Sequence, residues 1–179
     1  GGNFVQNCLN QPEREAAATV GLLVETNKMS VWTCPNWPNL PIYEPAYPQW
    51  VIGYQYFGGG TNWTNPGGTF SSLSTVKLSA AQPQWTLAAD AIMKINGVWG
   101  GVDRLPTYEN LPQHRGSRSK TPVGGNQVFV DGSARWIKFE SMYFFHSWNI
   151  SSRIAYFYQD SSDFDAPLLA RLPSLRAKP

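Results

Sequence analysis

The 179-residue chain predicts a single domain in which one N-terminal helix accompanies short antiparallel strands joined by long ordered loops. Three observations carry that reading. A capped stretch near the N-terminus has helical apolar spacing. Residues 124–139 read as a β-hairpin. Charged residues make up only 15% against 14% aromatics, 14 prolines and 16 glycines, a mix that suits strands and loops better than long exposed helices. A chain of this length buries a core without metals or many disulfides.

The helix is expected to start at residues 10–15. Asn10 or Gln11 stands at the cap, Pro12 suits the first turn, and Glu13 and Glu15 face the positive end of the dipole. Ala16, Val20, Leu23 and Val24 fall on one face, so the helix is expected to pack and to end near Asn27-Lys28. Residues 34–56 are rich in aromatics and irregularly spaced prolines, which predicts a long connection pinned by its own side chains rather than a polyproline helix, with a strand opening inside it. Residues 50–57 read as a strand and residues 85–93 as another, with Asp90 near its end. Asn96-Gly97 predicts a turn. Gly58-Gly59-Gly60 is no phosphate cradle, because neither a Gly-Lys-Ser/Thr run nor a helix follows it. Gly124-Gly125 marks entry to the hairpin, and Asp131-Gly132 supplies a favoured two-residue connection. The last stretch, residues 166–179, is expected to fray.

Several function classes lack support. A formal charge of +2 gives no basic field for nucleic acid, and Arg115, Arg118 and Lys120 read as a solvated loop. The longest apolar stretch, residues 16–24, is interrupted by Thr19 and Gly21 and is too short to span a bilayer. No signal peptide is visible, although Gly1-Gly2 followed directly by folded-looking sequence suggests that an upstream segment has been cut away. Cys8 and Cys34 are the only cysteines; either they pair or they stand as two separate apolar residues. His114 and His146 are the only imidazoles, with Asp90, Asp103 and Asp131 as accompanying carboxylates. No Gly-x-Ser-x-Gly elbow, His-Glu-x-x-His or reactive-cysteine signature joins them, so catalysis is not expected. Two glycosylation sequons begin at Asn62 and Asn149.

The order of motifs has a likeness. A helix, then Trp-Thr-Cys-Pro at Cys34-Pro35, Ile-Gly-Tyr-Gln-Tyr at Gly53-Tyr54, Leu-Ala-Ala-Asp at Asp90, then His114, Gly124-Gly125 and Asp131-Gly132, resembles prepilin-like and type II secretion pseudopilin-like proteins whose C-terminal region carries His, nine residues, then Asp-Gly. The resemblance spans most of the chain and is most specific over residues 124–137. Here sixteen residues separate His114 from Asp131, and residues 116–122 read as an insertion.

The resemblance implies a pilin-like α+β fold, an N-terminal helix packed on an antiparallel sheet. It also implies a non-enzymatic structural subunit of a type II secretion pseudopilus or type IV pilus-like filament. Such a subunit sits in the periplasm or at the cell surface, held to the inner membrane by an upstream apolar helix, with other pilin or pseudopilin subunits as partners. Major pseudopilins also suggest calcium, for which Asp160, Asp163 and Asp165 are the candidate donors; their spacing is not that of an EF-hand, and a solvated acidic loop is the plainer reading. The other functional class open to the sequence is an aromatic-rich carbohydrate- or peptide-binding module, with Trp37, Trp50 and Trp63 as stacking candidates.

Overall fold

A computed structural model describes residues 6–10, 13–25, 28–36, 40–75, 77–101, 111–147 and 153–178, with side chains from Glu15 onward except those of His146, Ser147 and Arg153. Pro12, Trp37, Asp103, the sequon at Asn149 and the side chains of Cys8 and His146 therefore lie outside the described residues.

Among the described residues every strand pairing is antiparallel. The largest sheet orders β1 (Gln6–Asn10), β3 (Gln49–Tyr56), β6 (Thr86–Asp90), β8 (Gly124–Phe129) and β9 (Ala134–Lys138), with β2 (Ile42–Glu44) also on β3. A three-stranded sheet orders β10 (Tyr143–Ser147), β11 (Arg153–Phe157) and β7 (Met93–Ile95), and β4 (Asn62–Asn65) pairs with β5 (Gly68–Ser71). The helices are short: α1 (Glu13–Thr19), α2 (Ala166–Ala170) and α3 (Leu172–Arg176). Among the described residues no helix is long and apolar enough to cross a membrane.

The expected pilin-like α+β architecture is thus corrected to a mostly antiparallel β fold. The reason lies at Gly21. Its φ of 79° is left-handed, and the Gly21 and Leu22 amides turn back to the Ala18 and Ala17 carbonyls, which ends α1 after Thr19. The periodicity through Val20, Leu23 and Val24 consequently never becomes one helical face. Val20 stays 71% exposed while Val24 is buried, and among the described residues no long helix lies across the sheet.

The core is instead built between the sheets. Phe57, Trp63, Phe70, Phe145, Phe157 and Phe164 interlock, with the Trp63 and Phe145 rings 4.6 Å apart. Asn65 donates to the Phe144 carbonyl at 2.9 Å and ties β4 to β10. The C-terminal stretch does not fray. Asp165 accepts the Leu168 amide at 3.0 Å and caps α2, and Leu168 and Leu175 bury themselves in the same core.

The hairpin forms as expected, with a different turn. The Phe129 amide reaches the Ser133 carbonyl and the Gly132 amide returns to the Phe129 carbonyl, so the connection is the three residues Val130, Asp131 and Gly132. Gly132 takes the left-handed position (φ 82°), the arrangement of a type I turn closed by a bulge. Asp131 accepts the Ser133 amide at 2.8 Å, and its carboxyl is held below the ordinary range by the Ser133 hydrogen bonds. Burial alternates along β8: Gln127 and Phe129 point inward while Val128 is 38% exposed. Gln127 is tolerated inside because it accepts the Tyr158 amide and donates to Thr86 and the Tyr158 carbonyl.

Candidate functional site

Three polar groups that stand far apart in sequence meet beside the large sheet. Asp90 ends β6, in an apolar run where a carboxylate needs a partner, and is almost fully buried. Cys34 lies in the segment before β2. That segment is seated on β3 by the Gly53 amide, which donates to the Trp32 carbonyl at 3.0 Å, and by Tyr54, whose hydroxyl donates to the Thr33 carbonyl at 3.2 Å. A Cβ at Gly53 would stand 2.8 Å from the Cys34 amide nitrogen, so only glycine permits this approach. His114 follows Leu111, which is fully buried, and Gln113, which donates to the Gly53 carbonyl at 3.3 Å.

The imidazole Nε2 of His114 stands 2.8 Å from Asp90 Oδ2 and 3.6 Å from Cys34 Sγ. Its Nδ1 faces the Asn36 side-chain amide at 2.8 Å, and the ring meets Trp136 edge-on with centroids 5.1 Å apart. Asp90 Oδ2 also accepts the Asn126 backbone amide at 2.6 Å and its side-chain amide at 3.0 Å. The Asp90 hydrogen bond, then that of Cys34, raises the His114 pKa to about 9 against the opposing effect of burial. At neutral pH the ring is therefore an imidazolium paired with Asp90. A charged ring donates from both nitrogens, which calls for the Asn36 amide with its carbonyl toward Nδ1.

This arrangement joins four segments: the Cys34 loop, the end of β6, the His114 segment and the β8–β9 hairpin. Its geometry differs from that of a Ser-His-Asp-type nucleophile relay. In such a relay one ring nitrogen faces the nucleophile and the other the carboxylate, whereas here thiol and carboxylate share Nε2. Among the described residues Cys34, Asp90 and His114 are the one group whose ligand atoms, all within 4.8 Å of one another, are placed to hold a metal ion.

The residues singled out from the motif fall into one unit. Val123 donates to the His114 carbonyl at 2.9 Å and Arg115 bridges Pro122, so residues 116–122 close on themselves as an excursion. His114 thereby sits next to the strand that leads to Asp131-Gly132. Gly124 and Gly125 lie within β8 rather than before it, and both are there for close approach. A Cβ on Gly124 would run into the Ile137 carbonyl and the Trp136 indole, and one on Gly125 would press on Asp90 and Ile92 at 3.2 Å.

The other candidates disperse. Asp160 accepts the Ser162 amide, Asp163 accepts from the distant Gln84, and Asp165 caps α2, so each carboxylate already serves a structural hydrogen bond. Asp131 is exposed at the hairpin tip. Cys34 carries a free, buried thiol, while the side chain of Cys8, the other half of the possible disulfide, lies outside the described residues. Trp63 is a core residue. Sequence reasoning named Cys34, Asp90 and His114 separately and missed their meeting, along with Asn36, Asn126 and Trp136. The available signal was Asp90 itself, a carboxylate amid Leu87, Ala88, Ala89, Ala91 and Ile92, which calls for a cation within reach.

No family model, curated protein or solved structure matches the chain.

Proposed function

We propose that the chain is a non-enzymatic structural subunit of an envelope filament of the type II secretion pseudopilus or type IV pilus-like kind, with His114–Asp90 as an internal latch. The proposal concerns the assembly role and carries no helix-on-sheet fold. The observation that supports it most is the closed excursion of residues 116–122. With those seven residues set aside, His114 and Asp131-Gly132 have the spacing of the resembled motif. The motif then has a physical meaning: the histidine clamps the hairpin through Asp90 and Asn126, and the Asp-Gly pair shapes its tip. Asp90 Oδ2 takes three donors and Nε2 is shared, which fits polar groups engaged in holding the fold together.

Reading the coding sequence upstream of Gly1 tests this. A segment of about 20 apolar residues behind a short basic leader ending in glycine supports it. An ordinary cleavable signal peptide, or no apolar segment, overturns it.

One observation favours a second reading, a carbohydrate- or peptide-binding module. Tyr43 and Tyr47 are 40% and 60% exposed around the β2–β3 connection, and Tyr43 packs on Trp50 at 5.4 Å. Micromolar glycan or peptide binding that is lost in Tyr43→Ala would promote it.

A further inference from the structure

We propose that Cys34, Asp90 and His114 form a binding site for a thiophilic divalent cation of the zinc class, one that staples the Cys34 loop and the His114 segment to the end of β6. The inference goes beyond the filament reading and stands without it.

The donor set fits first by chemistry. A thiolate, an imidazole and a carboxylate are the three ligand types that zinc takes, and three protein ligands with a fourth position for water form a recurrent zinc geometry. It also fits by distance. Bonds of about 2.3 Å to sulfur and about 2.0–2.1 Å to nitrogen, opened to a tetrahedral angle, separate the two donor atoms by about 3.6 Å. The observed Sγ to Nε2 distance is 3.6 Å. The Nε2 to Oδ2 edge needs about 3.3 Å and is now 2.8 Å, so the histidine and carboxylate must part by roughly half an ångström as the metal replaces the proton between them. The third edge is bounded by the 4.8 Å within which all three atoms lie.

The surroundings are those of a supported site. Asn36 holds Nδ1 and so aims Nε2 at the other two donors. Asn126 fixes Asp90 through two hydrogen bonds, and Trp136 closes one side of the imidazole. Such partners set ring orientation and ligand basicity in known metal centres. Asp90 and Cys34 are buried while the His114 side chain keeps 11% of its surface open, so the cluster lies just beneath the surface. Binding forms three metal–ligand bonds in place of aqua ligands of the free cation and releases to solvent the proton of the Cys34 thiol and the Nε2 proton of the His114 ring, while the Nδ1 proton stays toward Asn36.

Cobalt(II) titration of the chelator-treated protein tests the proposal. One equivalent should produce a thiolate-to-cobalt charge-transfer band with the strong visible absorption of four-coordinate cobalt, and zinc(II) should displace it. The band should persist in Cys8→Ala and vanish in Cys34→Ala. Asn36→Ala should weaken cobalt binding by about tenfold, the usual effect of losing an outer hydrogen-bond partner. No band in the folded protein, or a band that survives in Cys34→Ala, overturns the site. Should Cys34→Ala fail to fold, X-ray absorption of the zinc-loaded parent decides. One sulfur at about 2.3 Å with nitrogen or oxygen neighbours at about 2.0–2.1 Å upholds the site, and a shell without sulfur overturns it.

Discussion

The His114–Asp90 latch predicts that this domain loses stability on the alkaline side of neutrality. The perturbation is pH itself, with chelator present so that no metal takes part. His114 ionises at about 9 in the folded protein, against an ordinary value of 6.5. Below 6.5 the ring is charged in both states and the latch contributes in full. Between 6.5 and 9 the unfolded chain gives up its proton while the folded ring keeps it, so the contribution falls as pH rises and is gone above the folded value. A shift of that size corresponds to about 3 kcal/mol. The open side of the ring lets solvent screen the pair, which reduces the expected contribution to about 1–2 kcal/mol. Tyr54, raised above its usual 10 first by burial and then by Cys34 and Asp90, stays neutral through this window. Urea unfolding from about pH 6 to about pH 10 measures the effect, with His114→Gln as reference. The parent should lose about 1–2 kcal/mol more than the variant over that range. Parallel curves for the two proteins would refute the latch.

Other expectations follow from the same contacts. Asp90→Ala strands the Asn126 donors and the His114 ring, and should cost about 3–5 kcal/mol at neutral pH, read by the same unfolding curves. Gly124→Ala puts a methyl group against the Ile137 carbonyl and the Trp136 indole and should cost about 1–3 kcal/mol; a neutral result would mean that β8 and β9 are not this close. Gly132→Ala, in a left-handed position with open space around it, should cost about 1–2 kcal/mol from backbone strain alone. Deleting residues 116–122 should leave a folded domain that retains the alkaline stability slope, at a loss of about 1–2 kcal/mol, most of it the burial of Pro122; loss of the slope would show that the excursion positions His114.

Local structure was largely legible in the chain. The mostly apolar runs at residues 50–57 and 85–93 announced β3 and β6, Asn96-Gly97 announced a turn that the positive φ angles of both residues bear out, and residues 124–139 announced the hairpin. These succeed because strand period and left-handed turn positions are written in neighbouring residues. The helix failed where two local signals conflicted: apolar spacing continued past residue 20, but Gly21 stopped the backbone. The C-terminal stretch failed for another reason. Leu168 and Leu175 look like tail residues until a core made by β4, β5, β10 and β11 comes to meet them. The sequence by itself determined β3, β6, the β8–β9 hairpin with its Asp-Gly tip and the presence of one carboxylate that could not stay unpaired. Only the tertiary structure decided which cation answers it, because pairing of β6 with β8 brings Asn126 to Asp90, loops seated on the sheet bring Cys34 and His114, and no local spacing records those contacts.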